Sequence, residues 1–192
     1  RLREEAFART AKDLGIAIAR ANLVGGNDDL VFEGRSFVVS AGGTLLARGA
    51  AFEEDVVIVD TARPAPRPIA PAGPAPEPDI WGALVLGTRD YARKCGFTSV
   101  LLGLSGGIDS SLVAAVAVEA LGPENVLGVL LPSPYTSRES VEDARELAEN
   151  LGIRVECIPI APVMEAYDEA LGEIFAGLPR DATEENLQAR IR

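Results

Sequence analysis

Three short apolar segments, each followed by a helical pattern, constrain the fold of this chain more than any other feature. The segments are Ser99–Leu104, Val126–Leu131 and Ile153–Ile160. Apolar runs separated by amphipathic helices predict parallel strands that are covered on both faces. The first of the three helices is predicted to end at Leu121. The second is predicted to span Ser137–Leu151, and the third Pro162–Phe175. We therefore expect an α/β fold with a doubly wound, Rossmann-like parallel sheet in the second part of the chain.

A proline-rich stretch, Arg63–Pro78, divides the chain. It holds seven of the 13 prolines, which exclude a helix interior or a central strand, so we predict an extended, semi-rigid linker. Residues 79–192 form the second part, which opens with a helix over Ile80–Lys94. An apolar stripe on that helix is expected to pack in the core; it consists of Trp81, Leu84, Val85, Thr88 and Tyr91.

Residues 1–62 are predicted to be the tail of a larger α/β domain, because about 60 residues are marginal for independent folding. The predicted elements are a helix over Arg1–Leu14, a strand over Ile16–Leu23, a turn-rich loop over Val24–Gly34, a hairpin of Ser36–Ser40 and Thr44–Arg48, and a strand over Val56–Asp60. The chain starts without Met in mid-helix and ends without a helix stop signal. We therefore expect it to be a fragment of a longer protein.

Charge and composition exclude several classes of partner. The net charge is −11 and there is no histidine, which disfavours nucleic acid and anionic membranes. No apolar run reaches the roughly 18 residues of a membrane span, and the first residues are too charged for a signal peptide. Cys95 and Cys157 lack metal or disulfide spacing. They are expected to be buried free thiols of a cytoplasmic protein.

The turn after the first apolar segment carries the chemistry, in the sequence Gly103-Leu-Ser-Gly-Gly-Ile-Asp-Ser110. Its first five residues match G-x-S-x-G, the nucleophile elbow of serine hydrolases, but a serine nucleophile usually needs a histidine base. The Walker pattern is not matched either, because no lysine follows the glycines. Two glycines before a helix N-terminus, with serine hydroxyls beside them, instead predict an anion site for phosphate. Asp109 would repel a phosphate unless Mg²⁺ bridges the two.

This stretch resembles the pyrophosphate-binding loop of the N-type ATP pyrophosphatases, which split ATP between its α and β phosphates and adenylate a substrate. The resemblance implies that ATP is bound by Gly103, Leu104, Ser105, Gly106, Gly107, Ile108, Asp109 and Ser110. It also implies that Asp109 holds Mg²⁺. Leu130–Ile153 resembles the second strand, adenosine-side loop and helix of NAD synthetases.

Two further segments narrow the resemblance. Thr183–Arg192 looks like the border of the deamido-NAD site in NAD synthetases, which implies Asn186 and Arg190 as substrate contacts, with Arg192 a weaker candidate. Ala21–Asp55 resembles the last part of a nitrilase-type amidase domain. That domain uses a Glu, a Lys and a Cys that have no counterpart in this chain, so no catalytic residue is assigned here.

The combined layout is similar to that of glutamine-dependent NAD synthetases. It implies ATP-dependent amidation of deamido-NAD by ammonia from glutamine, releasing AMP and pyrophosphate, in a cytoplasmic homo-oligomer. The fragment alone is expected to be inactive. Two alternatives stay open: another amide-forming or thio-forming ATP pyrophosphatase, or a non-catalytic adenine-nucleotide-binding module.

Overall fold

The computed structural model describes residues 2–62, 69, 75–176 and 182–192. The chain divides into two compact units, Arg1–Gly96 and Phe97–Arg192. The predicted linker lies outside the described residues except for residues 69 and 75–78. No helix in these ranges is long and apolar enough to cross a membrane.

The described residues of the first unit form two helices and two small antiparallel sheets. Its elements are α1 (Leu2–Leu14), β1 (Ile18–Arg20), β2 (Val24–Asn27), β3 (Leu30–Glu33), β4 (Phe37–Val39), β5 (Leu45–Arg48) and α2 (Glu77–Lys94). One sheet has the order β1-β4-β5, and β2 pairs with β3 in the other. Helix α1 packs on β4, where the rings of Phe7 and Phe37 meet edge to face at 5.4 Å. The predicted hairpin around Ala41–Gly43 is present as β4 and β5.

Two sequence predictions for this unit are wrong. The segment expected to be a turn-rich loop is the hairpin β2–β3, in which Asn27 pairs with Leu30. Asp28 turns the chain with φ +50°, a left-handed conformation that Asp tolerates better than most residues. Conversely, the strand predicted over Val56–Asp60 is absent. Val56 and Ile58 are 88% and 79% exposed, since no neighbouring strand pairs with this segment.

The helix α2 begins at Glu77 and ends at Lys94, close to the predicted bounds. Its predicted core stripe is only partly correct. Val85 is buried, whereas Leu84 and Tyr91 are exposed. The helix packs on the hairpin β2–β3. The side of α2 that contacts this hairpin differs from the side that the apolar stripe predicts.

The second unit contains the predicted parallel sheet. Its elements are β6 (Val100–Gly103), α3 (Ile108–Leu121), a 3₁₀ turn (Pro123–Asn125), β7 (Val126–Leu130), α4 (Arg138–Leu151), β8 (Arg154–Cys157), α5 (Ala161–Leu171) and α6 (Ala182–Ile191). The strand order is β6-β7-β8, and both pairs are parallel. The α/β class with a parallel sheet is therefore confirmed. Helices α3 and α4 pack on this sheet and on each other.

Buried alanines form the contact between these two helices and the parallel sheet. Ala114 and Ala117 on α3, with Ala144 and Ala148 on α4, are buried against Leu130 of β7. Small side chains at these positions allow the helices to approach the strands closely. Helix α4 begins after Ser137, whose hydroxyl accepts a hydrogen bond from the backbone N–H of Ser140. It ends at Leu151, and Gly152 after it adopts the left-handed conformation. This start agrees with the helix predicted over Ser137–Leu151.

Candidate functional site

The turn between β6 and α3, here called the phosphate loop (Gly103–Ser110), is anchored by one buried residue. Leu104 is 5% exposed, and its N–H donates to the carbonyl of Val129 at 2.9 Å. A Cβ on Gly128 of β7 would lie 2.6 Å from the Leu104 side chain. The apolar anchor therefore fixes the loop on the sheet, while Ser105 after it is exposed.

Gly106 gives the phosphate loop its sharp turn. Its φ is +79°, a region that L side chains rarely adopt. A Cβ at this position would overlap the backbone of Ser140, whose Cα would be 3.0 Å away. Only glycine therefore allows the loop to pass this close to the first turn of α4.

The hydroxyl groups of the loop hydrogen-bond one another around its backbone amides. Ser105 Oγ lies 3.0 Å from Ser110 Oγ and accepts from the N–H of Gly107 at 3.2 Å. The N–H of Ser105 donates to Ser110 Oγ, which in turn donates to the carbonyl of Gly107. Amides and hydroxyls thus converge in one place, which is the donor arrangement that a phosphate requires.

The same contacts argue against Ser105 as a nucleophile. Its hydroxyl faces another hydroxyl and a backbone amide, and neither is a base at neutral pH. The N-cap of α3 is Gly107, which brings no side chain to accept from the first-turn N–H groups. These donors and the positive end of the helix dipole favour an anion before α3.

Asp109 lies in the first turn of α3 with its side chain exposed. Within the described ranges, no group of three or more His, Cys, Asp or Glu residues could hold a metal ion. A lone carboxylate still suits Mg²⁺, which binds one or two carboxylates and completes its shell with substrate phosphates and water. The residues present therefore fit a magnesium ion that arrives with the nucleotide.

A cavity of about 520 Å³ opens beside the phosphate loop. Its walls come from the end of β6, the end of β7 with the segment after it, the start of α4, and α6. The lining residues are Gly103, Leu104, Ser105, Val129, Leu130, Leu131, Pro132, Tyr135, Thr136, Ser137, Ser140, Val141, Gln188 and Arg192. Ligands of parallel α/β sheets bind outside the carboxyl ends of the strands, and this cavity occupies that position.

The far wall of the cavity is a polar cluster between α6 and the segment after β7. Arg192 donates to the carbonyl of Leu131 at 3.2 Å and to Thr136 Oγ1 at 2.9 Å. Gln188 Oε1 accepts from the hydroxyl of Ser133, which is almost fully buried. Gln188 on α6 and Arg192, the residue directly after α6, thus hold the segment after β7 in place.

The residues predicted on α6 as substrate contacts lie elsewhere on that helix. Asn186 and Arg190 are exposed, and the cavity wall is formed by Gln188 and Arg192. Sequence reasoning missed Gln188, although its i, i+4 relation to Arg192 was a usable signal. The role of Asn186 and Arg190 remains a prediction.

The two cysteines are free, as expected, but they are exposed rather than buried. Cys95 directly follows α2, and Cys157 is the last residue of β8. Strand ends and helix ends reach the surface of each unit, which explains their exposure.

Comparisons with known proteins agree with this geometry. The NAD synthase family model matches residues 80–192. The chain is 48% identical over its whole length to a glutamine-dependent NAD(+) synthetase of Synechocystis sp., covering 35% of that protein. A solved glutamine-dependent NAD+ synthetase of Acinetobacter baumannii, in complex with ADP, matches 99% of this chain and 37% of its own, with 42% identity and a TM-score of 0.91.

A smaller solved relative matches less of the chain. An NH3-dependent NAD synthetase of Campylobacter jejuni covers 60% of this chain and 48% of its own, with 30% identity and a TM-score of 0.53. The present chain spans 35% to 40% of the length of the curated relatives that it matches. The match of the family model over residues 80–192, which includes the phosphate loop and the whole cavity wall, shows that this chain belongs to the NAD synthase family.

Proposed function

We propose that the protein containing this chain makes NAD by ATP-dependent amidation of deamido-NAD, with glutamine as the source of ammonia. The observation that supports this most is the phosphate loop, in which serine hydroxyls and free helix amides converge close to Asp109 in the chain, and whose first residues, Gly103–Ser105, line a cavity of about 520 Å³. The glutamine-dependent relatives, which match the entire chain, support the assignment of the amide donor.

The reaction has two displacements. The nicotinate carboxylate of deamido-NAD attacks the α-phosphorus of ATP, and the bond to the β-phosphate oxygen breaks to release pyrophosphate. Ammonia then attacks the carbonyl carbon of the adenylated carboxylate, and AMP leaves as the amide forms. Both steps develop negative charge on phosphate oxygens, so fixed donors and cations accelerate them.

The described residues supply binding and positioning. The N–H groups of Ser105 and Gly107 and the hydroxyl of Ser110 would turn from one another to the pyrophosphate. Asp109 would hold Mg²⁺, which neutralises charge on the phosphates when bound. The cavity behind the loop would take the adenosine, and Asn186 and Arg190 would contact deamido-NAD. The amidase residues Glu, Lys and Cys would lie outside this chain.

Pyrophosphate release by the enzyme at the full length of its relatives tests this function. Release that requires both ATP and deamido-NAD, with NAD formed from glutamine, supports it. Release with a different carboxylate acceptor would indicate another ATP pyrophosphatase, and ATP binding without any release would indicate a non-catalytic module. We further propose a cytoplasmic homo-oligomer, and we expect the 192-residue chain alone to turn nothing over.

A further inference from the structure

The middle residue of β7 is a glycine, although every other residue of that strand is a valine or a leucine. Gly128 is buried and its φ is not positive, so the backbone conformation at this position does not require glycine. Glycine also weakens a strand, because its backbone loses more freedom on folding and it has no side chain to pack. The presence of Gly128 in the strand therefore needs another explanation.

The space beside Gly128 is filled by the side chain of Leu104. A Cβ on Gly128 would lie 2.6 Å from Leu104 Cδ1 and 3.3 Å from Leu104 Cγ. Val155, the residue that pairs with Gly128 on β8, would be 3.4 Å away at its Cγ2, which is an ordinary contact distance. The missing side chain at position 128 therefore leaves the room that Leu104 occupies.

Leu104 has little freedom to move away from Gly128. It belongs to the apolar core that the sheet forms with α3 and α4, and its N–H donates to the carbonyl of Val129 at 2.9 Å. This hydrogen bond extends the pairing of β6 with β7 one residue beyond Gly103. Because a protein interior is close-packed, a side chain at position 128 would shift the backbone of Leu104 as well as its side chain.

The residue after Leu104 is Ser105, which lies between two fixed neighbours. Leu104 is held by the sheet on one side, and Gly106 packs against the backbone of Ser140 on the other. The N–H and the hydroxyl of Ser105 both hydrogen-bond to Ser110 Oγ. The direction of these two donors thus depends on how deeply Leu104 packs into the sheet.

We propose that Gly128 is a positioning residue for the phosphate loop and acts through Leu104 on Ser105. Gly128 is not part of the cavity lining, whereas Leu104 and Ser105 are. A larger side chain at position 128 displaces the donors of Ser105 and leaves the far wall of the cavity, on α6 and the segment after β7, in place. This inference rests on the proposed function, in which the loop binds the pyrophosphate end of ATP and the cavity takes the adenosine.

The test measures ligand binding to the enzyme at the full length of its relatives, in the presence of magnesium. The ligands are ATP and inorganic pyrophosphate, titrated by calorimetry, and adenosine, titrated by ligand-observed NMR. Gly128→Ala is expected to raise the Kd for ATP and for pyrophosphate about tenfold, because donors to charged groups are displaced. The Kd for adenosine should stay unchanged. A general loosening of the fold would instead weaken the binding of all three ligands.

Ile153→Val is the matched control for a loss of stability. Ile153 belongs to the same apolar core, but it directly precedes β8 and so lies at the opposite end of the parallel strands from the phosphate loop. Removal of one methylene group there should lower Tm and change none of the three dissociation constants. The Tm of every variant is measured alongside, so that binding is compared between variants of similar stability.

A compensating variant tests whether Gly128 acts through Leu104. Gly128→Ala/Leu104→Val adds one carbon to the strand and removes one from the side chain beside it, so the packed volume is nearly conserved. The double variant should recover most of the ATP affinity that Gly128→Ala loses. If Gly128→Ala alone does not fold, the double variant should still bind ATP more tightly than Leu104→Val, because the added methyl group fills the space that the shorter side chain leaves.

Three results would overturn the proposal. They are unchanged ATP binding in Gly128→Ala, equal losses for adenosine and ATP, and a double variant that binds ATP no better than the weaker single variant. Pyrophosphate release by the unchanged enzyme on addition of deamido-NAD tests the proposed function separately. If that enzyme binds ATP but releases no pyrophosphate, the proposed function is wrong, and the three dissociation constants still decide whether Gly128 positions the loop.

Discussion

Gly106 lies against the backbone of Ser140, so the phosphate loop and the first turn of α4 are in direct contact. Gly106 follows the first strand of the parallel sheet, and Ser140 follows the second. Neither the local pattern around Gly106 nor the N-cap at Ser137 reveals this contact. The start of the phosphate loop, Gly103–Ser105, and the start of α4 both line the same cavity.

Gly106→Ala is therefore expected to reduce ATP use by at least about tenfold, because the methyl group displaces the loop from Ser140. Gly152→Ala is a matched control: Gly152 has φ +69°, but a Cβ there would meet only Pro123 at 3.9 Å. Both variants bear the strain of positive φ, about 1 kcal/mol. The comparison of their KM for ATP isolates the contact. Equal effects of the two substitutions would show that backbone strain alone is responsible.

Asp109→Asn should lower magnesium-dependent pyrophosphate release by about 100-fold, because an amide is a far weaker ligand for Mg²⁺ than a carboxylate. The fold should be unaffected, since Asp109 is exposed. Release is measured across a range of magnesium concentrations. Asp143→Asn, an exposed acid on α4, serves as the control, and unchanged activity in the Asp109 variant would rule out the metal assignment.

Ser105→Ala should weaken ATP binding without abolishing turnover, because the hydroxyl is one donor among several in the loop. Loss of one uncharged donor is expected to cost about 1 kcal/mol. A serine-directed fluorophosphonate should leave Ser105 unlabelled, as judged by intact-protein mass spectrometry. Labelling at this position would restore the serine-hydrolase interpretation.

Arg192→Ala should raise the KM for ATP about tenfold, because charge-assisted hydrogen bonds to Thr136 and Leu131 hold the cavity wall,. Its KM for deamido-NAD should stay the same. Arg190→Ala is expected to show the reverse, with a higher KM for deamido-NAD only. Steady-state kinetics with each substrate varied in turn distinguish the two roles, and a shared pattern would contradict the division.

The ion pair between Glu4 and Arg48 predicts a pH dependence of stability. Two hydrogen bonds of 2.5 and 2.7 Å join them, and they lower the pKa of Glu4 below its ordinary value of 4.5. The stabilisation of about 1 kcal/mol is thus fully present above pH 4.5 and is lost as the pH falls through the folded-state pKa. Glu4→Gln should remove this part of the acid-induced decrease in Tm, whereas Asp13→Asn, an exposed acid on the same helix, should retain it.

The sequence by itself determined the elements whose signals are local. Continuous apolar runs marked β6 and β7, the glycine and serine pattern marked the phosphate loop, and Ser137 marked the start of α4. These signals are readable because strand burial, backbone freedom at glycine and helix capping depend on neighbours in the chain. The α/β class and the anion site followed from them.

Only the tertiary structure decided which distant groups meet. The Gly25–Gly26 segment became a strand because it pairs with β3 and packs on α2, whereas Val56–Asp60 had strand-like composition but no neighbouring strand. Gln188 and Arg192 line the cavity and Asn186 does not, because the packing of α6 determines which of its residues face the cavity. Contacts between residues far apart in sequence depend on packing, and no local pattern encodes the packing partner.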